Sequence, residues 1–267
     1  MTSEHLAALI TQNSGNPLEI LKTLGGYYKC PKGPQNERLG PLVAYAGTYP
    51  VDPEDPNSPK LQYVGEEYAN FAKAETYPAV LSHFTSNLVQ KIDFLKLTDK
   101  VVFVGPQMGG IGAAMFMAYH AEIYGYEACY ACAEKKVTVA SNEAGSKEET
   151  ILQFSRHEVP VGYKAIICED VTNNLSTTGK TIKLIEENGG EVVGITTLLN
   201  RSPEQVTHYE YKGRQIPIIS LVSIKIEQWT QDDPAVSIDI ECGNVVFDTK
   251  ANWSKLSDAM KKNNAFA

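Results

Sequence analysis

Glu169 and Asp170 close an apolar run, Ala165-Ile-Ile-Cys168, and Ser176-Thr-Thr-Gly-Lys-Thr181 follows within a few residues. Together these residue types suit a phosphorylated sugar. Two adjacent carboxylates can accept hydrogen bonds from neighbouring sugar hydroxyls. A small, hydroxyl-rich turn ahead of a helix presents successive backbone N–H groups to an anion, and the helix end adds positive partial charge. Thr177, Thr178, Gly179, Lys180 and Thr181 are therefore the candidate 5′-phosphate cradle, with a helical pattern expected from Ile182. Gly179-Lys-Thr181 is not the tail of a P-loop, because that motif needs a glycine five positions earlier and residue 174 is Asn. Taken alone, the segment could be an ordinary strand–turn–helix with a threonine cap.

A second strand exit argues for chemistry. Val101-Val-Phe-Val104 runs into Gly105-Pro-Gln-Met-Gly-Gly110, where a helical pattern opens. Glycines there let backbone amides approach a diphosphate closely, so Gln107, Met108 and Gly109 are candidate diphosphate ligands. Between the two exits, a strand over Tyr126–Ala133 ends in Glu134-Lys135-Lys136, and residues 141–160 follow with Lys147, Arg156 and His157. Cations placed there can neutralise a leaving diphosphate. The candidate catalytic set is Glu169, Asp170, Lys136 and Lys147, with Lys135 on the diphosphate.

The acidic pair with Thr-Thr-Gly, and the segment Val-Val-Phe-Val-Gly-Pro-Gln-Met-Gly-Gly-Ile-Gly-Ala-Ala, resemble the signatures of the type I phosphoribosyltransferases. The second segment is similar to the pyrophosphate loop of the orotate enzymes. Leu24-Gly-Gly-Tyr-Tyr-Lys29, Arg38-Leu-Gly-Pro-Leu42 and Ala44-Tyr45 follow that family's N-terminal order more loosely. Three positions depart from it. Thr172-Asn-Asn-Leu175 stands between the acidic pair and the turn, Lys180 replaces a small residue, and Glu134 sits where the family carries Arg.

The resemblance implies transfer of phosphoribose from 5-phosphoribosyl-1-pyrophosphate to a nucleobase, with orotate leading, Mg²⁺ as cofactor, a homodimer and a cytoplasmic setting. Lys32 and Arg38 are the expected base-side cations. The rival readings are a purine base, or a non-catalytic protein that binds sugar phosphates.

The elements that must carry these motifs follow from pattern. Strands are expected at Tyr27–Cys30, Leu42–Tyr49, 101–104, 126–133, Val161–Cys168 and Glu191–Leu199. Helices are expected at 3–12, 17–24, over Glu66–Leu97 with an interruption near Pro78, at 109–124 and at 179–188. Strands alternating with helices argue for an α/β fold with a parallel sheet, whose ligands bind beyond the carboxyl ends of the strands. Ile216–Ile226, Ser237–Ile240 and Val245–Phe247 read as strands of a β-rich C-terminal extension, and 252–262 as a helix. One domain over 1–267 is expected, with hood elements at 1–60, a core at 61–204 and the extension at 205–267.

Net charge is −8, a poor balance for holding nucleic acid by its phosphates. Five scattered cysteines read as reduced thiols, and Cys129-x-x-Cys132 lacks the partners of a zinc site. The Met1-Thr-Ser-Glu-His-Leu6 start lacks a secretory pattern.

Overall fold

The computed structural model describes residues 2–13, 15–55, 57–92, 100–139 and 149–264. In chain order its elements are α1 (Ser3–Gln12), α2 (Pro17–Thr23), β1 (Tyr27–Lys29), β2 (Leu42–Pro50), β3 (Lys60–Gly65), β4 (Glu67–Ala69), α3 (Ala72–Glu75), α4 (Pro78–Ile92), β5 (Lys100–Pro106), α5 (Gly109–Ile123), β6 (Glu127–Val139), β7 (Glu149–Gln153), β8 (Lys164–Thr172), α6 (Ser176–Glu187), β9 (Glu191–Asn200), β10 (His208–Tyr211), β11 (Arg214–Ser223), α7 (Ser237–Glu241), β12 (Val245–Val246) and α8 (Trp253–Asn264). Two compact units result, residues 1–17 with 75–224 and residues 18–74 with 225–267.

The first unit is an α/β layer structure around a seven-stranded sheet in the order β10-β11-β9-β8-β5-β6-β7. The five inner strands are parallel; β10 and β7 join the two edges antiparallel. The inner strands are near-continuous apolar runs because helices cover both faces. Val102, Val104, Ala165 and Ile167 point to one face and pack with Ile182 and Ile185 of α6. The alternate residues point the other way. There Met117 of α5 receives the Cys168 thiol at 3.7 Å and the Thr196 hydroxyl at 3.3 Å. Helices α5 and α6 therefore stand on opposite faces of one sheet.

The second unit pairs β2 with β3 antiparallel and with β12 parallel, and β1 with β4 antiparallel. Leu42, Ala44, Val64 and Val236 form a small core under Trp229.

Several expected elements differ. Ser237–Glu241 is a helix, since an isolated Ile238/Ile240 alternation fits one helical turn as well as a short strand. Within 66–97 the chain first makes strand β4; of the rest, α3 and α4 are helical and 93–99 lie outside the described residues. Helix α6 starts at Ser176, so the expected turn is the helix's own first turns. All five cysteines are free thiols. No described helix is long and apolar enough to cross a membrane.

Candidate functional site

Strands β5 and β8 are parallel neighbours, with Val101 opposite Lys164 and Val104 opposite Ile167. Their exits consequently open side by side at the carboxyl edge of the sheet. The approach is close. A side chain at Gly109 would overlap the Asp170 carboxyl, and one at Gly110 would overlap the Cys168 carbonyl. Only glycine lets the start of α5 lie this near β8. On the neighbouring strand, β6 runs past its pairing with β5 and carries Glu134, Lys135 and Lys136 beyond it. The Gln107 amide donates to the Ala133 carbonyl at 2.9 Å, and the Lys135 amide donates to Gln107 Oε1 at 2.7 Å. Gln107 thus fastens the loop to β6 through both its backbone and its side chain.

The two acids differ. Glu169 is buried, and Thr178 Oγ1 donates to its Oε1 at 3.0 Å. Asp170 is half-buried, and its Oδ1 accepts the Val171 amide at 2.8 Å. Burial pushes the Glu169 carboxyl up to about 8, with the Asp170 charge adding to the rise; the Thr178 hydrogen bond and the Lys135 ammonium oppose it. The sign of the stability effect follows. Between the ordinary glutamate range and about 8, the folded chain keeps a proton that the unfolded chain has lost, so stability falls as pH rises through that window. Glu169→Gln is expected to flatten this slope. Melting temperature measured from about pH 5 to about pH 8 should fall less for the variant than for the parent; parallel curves would refute the burial account.

At the start of α6, Leu175 caps the helix with left-handed backbone, φ 58°. Four helix N–H groups have no partner within a helix. The Ser176 amide takes Asn174 Oδ1 at 3.2 Å, and the Gly179 amide is already bonded to the Leu175 carbonyl at 2.9 Å. Helical bonding likewise occupies the amides of Lys180 and Thr181, which lie inside α6. That leaves the amides of Thr177 and Thr178 ahead of the helical bonding, at the leading edge of the expected 177–181 cradle. Thr178 and Thr181 are buried; Thr177 is half-buried and Lys180 exposed. Tyr209 of β10 fills the space against Gly179, where a side chain would meet its hydroxyl.

Of the other expected site residues, Gln107, Met108, Gly109, Lys135 and Lys136 share the edge with the acidic pair. Lys147 lies outside the described residues. Lys32 and Arg38 belong to the second unit. Lys32 lines a cavity of about 630 Å³ there, with Lys22, Lys29 and Lys261 around Tyr27 and Met260. Both Lys32 and Arg38 pair with Glu66, at 2.5 and 2.6 Å, and Arg38 also reaches Asp239 at 2.8 Å. These bonds hold the Glu66 carboxyl below its ordinary range despite its partial burial.

Arg201 went unrecognised in the sequence. It leaves β9, the strand beside β8, with its amide donating to the Thr172 carbonyl at 2.9 Å, and it is buried. The signal was a strand ending in Asn200-Arg201 at the same edge as both motifs.

Known proteins were compared with this frame. No family model matches the chain. An orotate phosphoribosyltransferase from Caldanaerobacter subterraneus is 24% identical over 170 residues, covering 63% of this chain and 75% of that protein. One from Thermoanaerobacter is 25% identical over the same shares. The chain is similar in sequence to orotate phosphoribosyltransferases. Among solved structures, the orotate phosphoribosyltransferase of Aeropyrum pernix aligns over 77% of this chain and 92% of its own, at 12% identity and a TM-score of 0.45. The adenine phosphoribosyltransferase of Thermoanaerobacter pseudethanolicus aligns over 67% and 95%, at 15% and 0.43.

Proposed function

We propose that the chain moves a phosphoribosyl group from 5-phosphoribosyl-1-pyrophosphate to a ring nitrogen of a nucleobase, orotate foremost, with release of pyrophosphate. One observation carries the reading: Gly109 abuts Asp170 while Thr178 holds Glu169, so a diphosphate-type loop and a phosphate-type helix end share one acidic pair. The spacing suits a pentose bearing phosphate at one end and diphosphate at the other.

In this reading the amides at the start of α6 hold the 5′-phosphate, and Gln107, Met108 and Gly109 hold the diphosphate. Glu169 and Asp170 accept the ribose hydroxyls. The bond from C1 to the diphosphate breaks with its electron pair leaving on pyrophosphate, a base nitrogen bonds to C1, and the base gives up its N–H proton. Positive charge grows on the sugar and negative charge on the leaving group. The Asp170 carboxylate stabilises the first while Glu169 holds a ribose hydroxyl by hydrogen bonding, and Lys135 with Lys136 stabilise the second.

Among the described residues no group of three or more His, Cys, Asp or Glu could hold a metal ion. Mg²⁺ keeps few protein ligands and takes oxygens from its substrate. Asp170 is the carboxylate placed to meet it, and when bound the ion would supply Lewis-acid stabilisation of the diphosphate.

The orotate preference is proposed on the sequence likeness. Both curated relatives named above carry the orotate name. The cytoplasmic and homodimeric settings are proposed on the same resemblance.

The test is pyrophosphate release with 5-phosphoribosyl-1-pyrophosphate, Mg²⁺ and a panel of orotate, uracil, adenine, guanine and hypoxanthine. Release with orotate above all others is the expected result. A purine giving the faster rate would replace the base. Tight sugar-phosphate binding without release from any base would make the chain a binding protein.

A further inference from the structure

The sequence places Thr178 among phosphate ligands, yet its hydroxyl faces inward. Thr178 Oγ1 donates to Glu169 Oε1 at 3.0 Å, with Thr178 1% and Glu169 8% exposed. The other hydroxyls of the segment are disposed differently. Thr181 Oγ1 donates to the Thr177 carbonyl at 2.9 Å inside the helix, whereas Ser176 is exposed at the helix end. Thr178 therefore stands between two parts of the site. Its amide belongs to the first turn of α6, and its side chain fixes the carboxylate that ends β8. A carboxylate buried this deeply keeps its orientation through such bonds, because water cannot replace a lost partner.

We propose that Thr178 is a positioning residue that aims Glu169 at the sugar, and that its hydroxyl does not bind phosphate. The proposal rests on the phosphoribosyl reading above. It links the end of the site that grips the substrate to the carboxyl group that orients the sugar. A side chain that binds phosphate equally in ground and transition states changes KM, while one that only aims a sugar-orienting group changes kcat.

Thr178→Val and Thr178→Ser in the full chain separate these roles. Valine keeps the shape and removes the donor; serine keeps the donor. With 5-phosphoribosyl-1-pyrophosphate and its best base, Thr178→Val is expected to lower kcat roughly 10- to 100-fold, with KM for the sugar changing less than about threefold. Thr178→Ser should restore kcat to within about threefold of the parent. Because valine leaves a buried carboxylate oxygen unpartnered, Thr85→Val serves as a stability control. Thr85 is fully buried, and among the described residues its hydroxyl bonds within α4, to the carbonyls of Leu81 and Ser82. Its loss should lower the melting temperature without the kcat defect.

Calorimetry with ribose 5-phosphate provides a readout independent of turnover. Affinity should be unchanged within about twofold in Thr178→Val, since the phosphate loses no ligand. A raised KM with unchanged kcat, weakened ribose 5-phosphate binding, full activity in the valine variant, or a serine variant no better than valine would each overturn the proposal. If the parent protein binds neither sugar phosphate, the phosphoribosyl reading itself fails, and this inference falls with it.

Discussion

Gly109→Ala is expected to lower kcat/KM for pyrophosphate release by at least about 100-fold while the protein stays folded. The added methyl would occupy the space of the Asp170 carboxyl. That carboxyl is a half-buried side-chain end, so it can swing aside, giving up the Val171 amide it accepts at 2.8 Å. The fold accommodates the methyl, but the acid no longer points at the sugar, and the loop amides shift with it. Gly110→Ala is a different lesion. Its methyl would meet the Cys168 carbonyl, a backbone atom inside β8 that cannot rotate away, so that variant should lose stability first. The checks are a kinetic assay beside a melting curve. A Gly109→Ala protein with parental kcat/KM would separate the loop from the acid and remove the observation on which the functional reading stands.

Asp170→Asn is expected to cut kcat by about 100- to 1,000-fold with little change in melting temperature. Asparagine keeps an oxygen for the Val171 amide and loses only the charge, so the backbone has no reason to move. Adding Glu169→Gln should lower turnover further. The two acids hold one sugar, and their effects should combine less than additively. Wild-type rates in the double variant would show that the pair does not touch the ribose.

Much of this site was legible in the chain because its signals are local. An apolar run entering a glycine-rich turn is recognisable wherever it occurs, and two such runs with an acidic pair narrow the chemistry. The parallel sheet followed from alternation. What failed depended on distance or on ambiguity of period. In sequence the first turn of α6 reads as loop, because Ser, Thr, Thr and Gly favour caps and turns as much as helix; packing of Thr178 and Thr181 into the protein decides for helix. Arg201 carries no motif of its own, and only the placement of β9 beside β8 gives it meaning. The closure of Arg38 by Glu66 and Asp239 joins residues far apart in sequence, which no local pattern reveals.

The helices behind the two grips rest on different foundations. α5 leans through Met117 on Cys168 and Thr196, and α6 leans through Ile182 and Ile185 on the opposite face of the same sheet. Substitutions beneath one helix can retune the hold on one end of a bound molecule and leave the other end's support as it was. In the proposed reading, leaving-group affinity and tail-phosphate affinity are thus separately adjustable quantities, and the acidic pair between them takes one setting from each helix, Asp170 from Gly109 of α5 and Glu169 from Thr178 of α6.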